Sequence, residues 1–231
     1  MEELKKGLAA FGITPTAEMI EKFALYEKLL LEWNEKMNLT AITAHDEVVN
    51  KHFVDSISCQ SLLPKGATLA DVGTGAGFPG LPLKIVRPDI KVTLIDALQK
   101  RLTFLDTVIE ALGLSDIETV HLRAEDAGRT KMRESFDAVT ARAVANLPVL
   151  CEYCLPLVKK GGVFLALKGR DGAEEAKNSA KALKILGGKI EEIYDKSWQD
   201  MEHVVIAVRK EGQTPSAYPR KAGKPQKSPI S

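Results

Sequence analysis

The segment from Asp71 to Gly80 is the most informative candidate for a ligand-binding site in this sequence, because four of its last eight residues are glycine. Glycine lets the backbone turn sharply and approach a ligand with no Cβ in the way. Pro79 suits the first turn of a helix, whose free amides can face an anion or a carboxylate. The segment is therefore expected to form a ligand-binding turn between a strand and a helix.

The glycine pattern alone does not decide the ligand, because dinucleotide-dependent enzymes carry the same Gly-x-Gly-x-x-Gly in the same context, here at Gly75, Gly77 and Gly80. Asp71 lies two residues before Gly73, at the end of an apolar run. A carboxylate there would repel a pyrophosphate but can accept hydrogen bonds, through water or backbone, from an ammonium group. S-adenosylmethionine has an ammonium group and no phosphate, so Asp71 favours it over a nicotinamide dinucleotide.

Two further acids follow the next predicted strands. Asp96 ends the second strand, where a carboxylate can accept hydrogen bonds from two ribose hydroxyls, a feature that fits either cofactor. Glu125 follows the third strand and could hydrogen-bond the edge of an adenine. An equally good interpretation is that Glu125 is an acid matched to the dipole at a helix N-terminus.

Strands and helices must position these residues. From Ala67 onward, short segments rich in β-forming residues alternate with segments whose apolar residues have helical spacing. This alternation predicts an α/β fold with a mostly parallel sheet covered by helices on both faces. The predicted strands are 68–72, 91–95, 117–121, 136–140, 163–167, 190–194 and 204–208, and the predicted helices lie near 80–87, 98–112, 146–159 and 173–186.

The N-terminal part reads as helices, because apolar residues between Met19 and Met37 recur at steps of three and four. This helix is expected to start after Pro15, and a second one covers about 46–62. Pro64-Lys65-Gly66 then breaks the chain. We expect one structural domain made of a helical cap (1–64), a ligand-binding core (65–211) and a C-terminal arm (212–231).

The C-terminal arm is basic although the whole chain has a net charge of only +1. It contains no acid, so it carries +4 and the remainder carries −3. Its four prolines exclude a regular helix, which predicts an extended arm that lies along a phosphate backbone. The alternative is a disordered, solubilising terminus. Removal of the arm is expected to leave cofactor affinity unchanged. Its cations are Arg220, Lys221, Lys224 and Lys227.

The composition gives little support for a metal site, a disulfide framework or a membrane protein. Three cysteines are too few and too unevenly placed for a disulfide framework, and Cys151-x-x-Cys154 has no second pair for zinc. The four histidines are scattered singly, so no metal site is predicted. The sequence lacks both an uncharged apolar run of roughly 18 residues and a secretory signal. We therefore expect a cytoplasmic protein with no membrane partner.

Motifs spread over nearly the whole chain carry a resemblance to a known family. They are Trp33-Asn34, Met37-Asn38-Leu39-Thr40, His52-Phe53-Val54-Asp55-Ser56, the segment Asp71 to Pro82, Leu94-Ile95-Asp96, Lys100-Arg101, Arg123-Ala124-Glu125, Ala141-Arg142-Ala143-Val144, Leu167-Lys168-Gly169 and the segment Tyr218 to Pro225. In these motifs the sequence resembles the glucose-inhibited division protein B family, small-subunit ribosomal RNA methyltransferases that methylate guanine at nitrogen 7.

The resemblance implies a Rossmann-like class I methyltransferase fold with a seven-stranded sheet, and S-adenosylmethionine as the cofactor. It also implies a guanine of small-subunit (16S) rRNA as the substrate, either in free rRNA or in an assembling 30S subunit, and we expect a monomer. Together with the glycine turn, it places cofactor contacts at Gly73, Gly75, Gly77, Phe78, Asp96, Ala97, Leu98, Ala124, Glu125 and Arg142.

No catalytic acid or base is predicted, because nitrogen 7 of guanine attacks with an in-plane lone pair and needs no proton removed. Cations around the site would hold the RNA instead. No role is assigned to Asn38, and His52 and Asp55 read as a local pair on one helix. The predicted RNA contacts are Arg142, Lys168, Arg220, Lys221 and Lys224, and further cations at the mouth are Lys84, Arg87, Lys100, Arg101 and Arg170.

Two other functions remain open on the residues alone. A nicotinamide-dependent oxidoreductase would use the same glycine turn, although Asp71 argues against it. A non-catalytic RNA-binding module would have no use for an intact glycine turn with Asp96. Titration with S-adenosylhomocysteine separates the three.

Overall fold

A seven-stranded sheet forms the centre of the fold in the computed structural model, which describes residues 1–230. The strands are ordered β3-β2-β1-β4-β5-β7-β6. They are β1 (Thr68–Val72), β2 (Lys91–Asp96), β3 (Ile117–His121), β4 (Phe136–Arg142), β5 (Val158–Lys168), β6 (Gly188–Asp195) and β7 (Val204–Lys210).

The predicted mostly parallel sheet is confirmed, since the strands β1 to β5 pair in parallel with one another. The last two strands differ: β7 runs antiparallel to both β5 and β6. The central strand β1 is buried except at its first residue, as expected where helices cover both faces. The strand order reverses between β1 and β4, which leaves a crevice at their carboxyl ends, where ligands bind in open α/β sheets.

Helices cover both faces of the sheet. Those that follow β1 to β5 are α5 (Gly80–Val86), α6 (Gln99–Ala111), α7 (Ala124–Ala127), α8 (Leu147–Cys154), α9 (Gly172–Lys177) and α10 (Ala180–Leu186). The predicted helix 146–159 ends at Cys154, because the chain already enters β5 at Val158. The predicted helix 173–186 is divided between α9 and α10 at Asn178 and Ser179.

The N-terminal helices pack onto the same core as the sheet. They are α1 (Glu2–Ala10) and α2 (Ala17–Met37). Helix α2 starts after Pro15 as predicted, because Thr16 accepts a hydrogen bond from the Met19 amide at 3.2 Å. Its side chains Phe23 and Tyr26 are fully buried in one apolar cluster with residues of α5 and α6.

The second predicted helix (46–62) is more irregular than its sequence pattern indicates. It consists of α3 (His45–Val48), a π-helical turn (Val49–Val54) and α4 (Asp55–Ile57), and a 3-10 turn (Gln60–Leu62) follows. A π-helical turn widens the helix locally and is frequent at functional sites. Here it contains His52 and immediately precedes Asp55.

The C-terminal segment, defined here as residues 212–230, does not extend away from the core. Arg133 donates hydrogen bonds to the carbonyls of Thr214 and Tyr218, at 2.6 and 2.8 Å, and Arg129 donates to the carbonyl of Pro219 at 2.6 Å. A short helix, α11 (Lys224–Lys227), follows, with a proline in its first turn. The predictions of an extended arm and of no helix are therefore wrong. Prolines prevent a long helix, but they leave carbonyls that arginine side chains of the core domain can satisfy.

Two further observations concern residues 1–230. No helix in this part of the chain is long and apolar enough to span a bilayer. All three cysteines are buried as free thiols, and burial raises the pKa of Cys59 and of Cys151 to about 12.

Candidate active site

A glycine-rich loop joins β1 to α5 and is tied to the end of β2. The amides of Gly73 and Thr74 both donate to the carbonyl of Ile95, at 2.9 and 3.2 Å. Gly75 has a φ of +61° and donates its amide to Asp96 Oδ2 at 3.0 Å. A β-branched residue could not follow this positive φ without strain.

Asp96 is the acid that ends β2, and its side chain is only 4% exposed. Its Oδ1 accepts the amide of Leu98 at 2.9 Å, while its Oδ2 faces Arg101 at 3.3 Å as well as Gly75. These contacts fix the orientation of the carboxylate at the edge of a cavity. A carboxylate held in this way can accept hydrogen bonds from neighbouring hydroxyls of a ligand.

A cavity of about 350 Å³ opens beside the glycine loop, at the carboxyl ends of β1, β2 and β3. Of the predicted cofactor residues, six line it: Gly73, Asp96, Ala97, Leu98, Ala124 and Glu125. The other four, Gly75, Gly77, Phe78 and Arg142, do not contribute to its wall. Sequence reasoning missed several wall residues, namely Val144, Tyr153, Gly223 and Gln226.

Glu125 lies in the first turn of α7 and is 5% exposed. Its Oε1 accepts the amide of Gly223, from the C-terminal segment, at 2.9 Å. Burial, and then the nearby carboxylates of Glu125 and Glu152, raise the pKa of Tyr153 to about 12. The Tyr153 hydroxyl therefore stays protonated and donates its hydrogen bond to Glu125 at the wall of the cavity.

Asp71 lies beneath the glycine loop and not in the wall of the cavity. It is fully buried, and its carboxylate accepts the amide of Gly80 and the hydroxyl of Thr140, each at 3.0 Å. Burial raises the pKa of Asp71 to about 6. The side chain lies beneath the loop and fastens the start of α5 to β4, so a link to a ligand's ammonium group through water or backbone stays a prediction.

A second group of polar side chains lies at the end of β4 and packs against Phe78 of the glycine loop. We call His52, Asp55, Arg142 and His203 the polar cluster. Arg142 Nη1 donates to Asp55 Oδ2 at 2.6 Å and to the carbonyl of Lys51 at 2.9 Å, and its Nη2 lies 3.2 Å from His52 Nδ1. His203 Nδ1 lies against the other oxygen of Asp55. His52 and Asp55 are thus more than a local pair on one helix.

Phe78 lies beneath the polar cluster rather than in the wall of the cavity. The His52 ring stacks on it with a centroid distance of 4.4 Å, and the Arg142 guanidinium lies 5.0 Å from its centroid. Tyr26 stacks on Phe78 at 5.5 Å, and its hydroxyl donates to the carbonyl of Ala76 in the glycine loop. The aromatic residues therefore connect the helical cap, the loop and the polar cluster.

His52 is held as a neutral ring. A guanidinium only donates hydrogen bonds, so Nδ1 of His52 accepts from Arg142, and the proton is on Nε2, which lies 2.8 Å from Thr40 Oγ1. Burial, and then the charge of Arg142, lower the pKa of His52 to about 4. Burial alone would raise the pKa of Asp55, but His203 and Arg142 bring it below its ordinary value.

The His52 pKa predicts a pH-dependent effect of His52→Asn on stability. With a folded pKa of about 4 and an unfolded pKa of 6.5, the unfolded chain binds more protons between these values. The His52 contribution is therefore complete above pH 6.5 and is lost as the pH falls toward 4. We expect the destabilisation caused by His52→Asn to shrink by about 3 kcal/mol between pH 7 and 4.

Urea unfolding of both proteins at several pH values measures this difference. The comparison with the variant is necessary because Asp71 acts in the opposite direction. Its pKa is raised to about 6, so its contribution grows as the pH falls and masks that of His52 in the wild-type profile. A pH-independent difference between the two proteins would contradict the neutral, buried state of His52.

Several cations predicted to bind RNA are engaged within the protein. Lys168 donates to the carbonyl of Ala145 at 2.7 Å and pairs with Glu175 at 2.7 Å. Arg220 pairs with Glu152 at 2.6 Å. Lys84 is buried and donates to the carbonyls of Pro88 and Ile90, while Arg87 pairs with Asp89 and Arg170 with Glu202. Lys221, Lys224 and Lys227 are exposed on the C-terminal segment.

Comparison with known proteins bears on what the cavity binds. A family model described as rRNA small subunit methyltransferase G matches residues 19–205. A protein of Acetivibrio thermocellus named ribosomal RNA small subunit methyltransferase G is 54% identical over 231 aligned residues, covering 98% of this chain and 95% of that protein. A protein of the same name from Bacillus velezensis is 50% identical over 235 aligned residues, covering 100% of this chain and 98% of that protein.

Solved structures with the same fold are more distant in sequence. A SAM-dependent methyltransferase from Aquifex aeolicus gives a TM-score of 0.55 at 18% identity, over 71% of this chain and 93% of that one. TYW2 of M. jannaschii, solved in complex with AdoMet, gives 0.56 at 15% identity, over 74% of this chain and 79% of that one. These likenesses confirm the Rossmann-like methyltransferase fold. By the family match and the identity to its relatives, the chain belongs to the rRNA small subunit methyltransferase G family.

Proposed function

We propose that this chain transfers a methyl group from S-adenosylmethionine to nitrogen 7 of a guanine in small-subunit rRNA. The observation that carries the proposal is the cavity between the glycine loop and Asp96, which lies next to the polar cluster at the switch point between β1 and β4. A cofactor site and a substrate site are needed side by side for group transfer, and this crevice offers both.

The residues around the cavity fit S-adenosylmethionine by their chemistry. Asp96 is oriented to accept hydrogen bonds from ribose hydroxyls, and the Tyr153 hydroxyl and Glu125 offer polar groups to an adenine. Gly73 brings a stretch of backbone without Cβ to the cavity. Two carboxylates in the wall suit a ligand with no phosphate better than a pyrophosphate. When bound, the cofactor supplies an electrophilic methyl group on its sulfonium.

The protein's own task in this reaction is to align the guanine, because the lone pair of nitrogen 7 needs no general base. Arg142 is suited to hold the substrate. Its contacts with Asp55, Lys51 and His52 use three of the five N–H donors of a guanidinium, which leaves two for an acceptor on the base. The neutral ring of His52 and the carboxylate of Asp55 keep the guanidinium in one orientation, so both act as positioning residues.

The guanine must be in a loop or be turned out of its helix, since side chains cannot read the deep major groove of RNA where nitrogen 7 lies. The proposal extends to a monomer that acts in the cytoplasm, on free rRNA or on an assembling 30S subunit. Size-exclusion chromatography with light scattering tests the monomer. Parallel reactions on stripped 16S rRNA and on isolated 30S subunits test the form of the substrate.

The function itself is tested with the purified chain, labelled S-adenosylmethionine and 16S rRNA from cells that lack the gene. We expect one guanine to gain a methyl group at nitrogen 7, mapped by cleavage at the modified base. Gly75→Val serves as the control, because the strain at a φ of +61° disturbs the cofactor loop, and it should transfer no methyl group.

The rival functions give different results in binding experiments. Tight binding of a reduced nicotinamide dinucleotide without binding of S-adenosylhomocysteine would indicate an oxidoreductase. Binding of RNA without binding of either cofactor would indicate a non-catalytic module. Each of these results would overturn the proposed function.

The exposed lysines of the C-terminal segment are expected to bind RNA phosphates. Replacing Lys221, Lys224 and Lys227 together by glutamine should lower the magnitude of d log K/d log[salt] by about 2 to 3, since each phosphate contact adds roughly 0.7–0.9. Arg220 is excluded from this count because it pairs with Glu152. Binding of one rRNA fragment at several salt concentrations measures the slope.

A second triple variant controls for the loss of three charges. Lys177, Lys184 and Lys189 are also exposed, but they line a separate surface groove beside α9, α10 and β6. Their replacement by glutamine should leave the slope unchanged. Equal slopes for both triple variants would show that the C-terminal segment does not contact the RNA.

A further inference from the structure

The C-terminal segment runs back over the core and reaches the cofactor cavity. Gly223 and Gln226 line the same cavity as Asp96 and Glu125, although they lie about a hundred residues further along the chain. The amide of Gly223 donates to Glu125 Oε1 at 2.9 Å. This bond places the segment at the Glu125 side of the cavity, beyond Asp96 as seen from the glycine loop.

The segment is held in this position by buried, charged contacts. Glu152 on α8 is fully buried, and its two oxygens accept hydrogen bonds from Nε and Nη2 of Arg220, the latter at 2.6 Å. Glu152 also accepts the Arg220 amide at 2.7 Å. Arg129 and Arg133 bind carbonyls just before it. Residues 223–226 therefore enter the cavity wall from a fixed point rather than as a loose end.

From these contacts we infer that the C-terminal segment completes the cofactor site, with Gln226 reading the base edge of an adenine nucleoside. The inference rests on the proposed binding of S-adenosylmethionine. If Asp96 accepts the ribose, the base lies on the Glu125 side of the cavity, where Gln226 forms part of the wall. A glutamine amide has a donor and an acceptor side by side, which match the amino group and a ring nitrogen of adenine.

With Gln226 in the cofactor site, removal of residues 212–231 is no longer expected to leave cofactor affinity unchanged. Two roles are then separate within the C-terminal segment: Gln226 contacts the nucleoside, and the exposed lysines contact RNA. Gln226 and Lys227 are both exposed, but only Gln226 lines the cavity. Adjacent residues thus provide a variant pair in which only one member should affect the nucleoside.

The test is calorimetric titration of full-length Gln226→Ala and Lys227→Ala with S-adenosylhomocysteine and with its inosine counterpart. In inosine the amino group of the base is replaced by a carbonyl. We expect Gln226→Ala to weaken S-adenosylhomocysteine binding about tenfold, as for the loss of one or two hydrogen bonds, with Lys227→Ala unchanged. The wild-type preference for the adenosine form should fall in Gln226→Ala by a similar factor.

A second substitution keeps the shape of the side chain. Gln226→Glu retains the acceptor and removes the donor, so it should also weaken binding of S-adenosylhomocysteine, while circular dichroism checks the fold. Unchanged affinity and unchanged base preference in both Gln226 variants would overturn the inference and leave the proposed function intact. Failure of the wild-type protein to bind S-adenosylhomocysteine would overturn both.

Discussion

Arg220→Ala is expected to lower the free energy of unfolding by about 3–5 kcal/mol, the range found when one partner of a buried ion pair is removed. The substitution leaves the carboxylate of Glu152, which is 0% exposed, without its guanidinium. It also removes the Arg220 side-chain bond to the carbonyl of Ser228. Chemical denaturation with urea, followed by circular dichroism, measures the loss.

Two comparisons make this result specific. Lys221→Ala removes the neighbouring cation, which is exposed, and should change stability by no more than about 0.5 kcal/mol. The double variant Arg220→Met with Glu152→Leu should recover most of the loss, because it leaves no buried charge unpaired. If Arg220→Ala were as stable as Lys221→Ala, the ion pair with Glu152 would not exist in solution.

Asp96→Ala is expected to weaken binding of S-adenosylmethionine by about two orders of magnitude. Two charge-assisted hydrogen bonds to the ribose, worth roughly 1.5–3 kcal/mol each, would be lost, with partial compensation by water. The carboxylate also fixes the amides of Gly75 and Leu98, so the substitution loosens the glycine loop in addition. Isothermal titration calorimetry of the purified variant gives the dissociation constant.

An acid on the following helix provides the control. Asp106 lies on α6, where it accepts the hydroxyl of Thr119 at 2.7 Å and does not line the cavity. Asp106→Ala should leave the dissociation constant unchanged. An Asp96→Ala protein that is folded and binds with wild-type affinity would show that the ribose binds elsewhere.

The sheet could be predicted from the sequence because each strand is a short apolar run with its own local boundaries. Every predicted strand overlaps an observed one, and errors concern mainly the ends, as at β5, which begins at Val158 instead of Val163. The antiparallel direction of β7 could not be predicted from the local sequence pattern. A hairpin at the sheet edge and a further parallel strand-helix unit show the same pattern of apolar residues in their strands. Helix breaks at Asn178 and Ser179 carry no proline or glycine signal.

The candidate site could be predicted only where its residues follow the strands directly. Asp96 and Glu125 come from such positions, and the cavity contains both. Contacts over long stretches of chain leave no trace in local spacing: Arg142 and His52 are 90 residues apart, and Arg129 and Pro219 are also 90 apart. Burial is a second obstacle. Asp71 and Arg220 look like available charges in the sequence, and each is satisfied inside the fold.

The position of the C-terminal segment has a consequence for the biosynthesis of the protein. The segment is translated after the sheet and the helices that it contacts, yet it supplies the partner of Glu152 and the donor to Glu125. A chain translated only as far as β7 therefore lacks both contacts. A product of premature termination would keep that defect permanently, and its lower stability would expose it to cellular proteases.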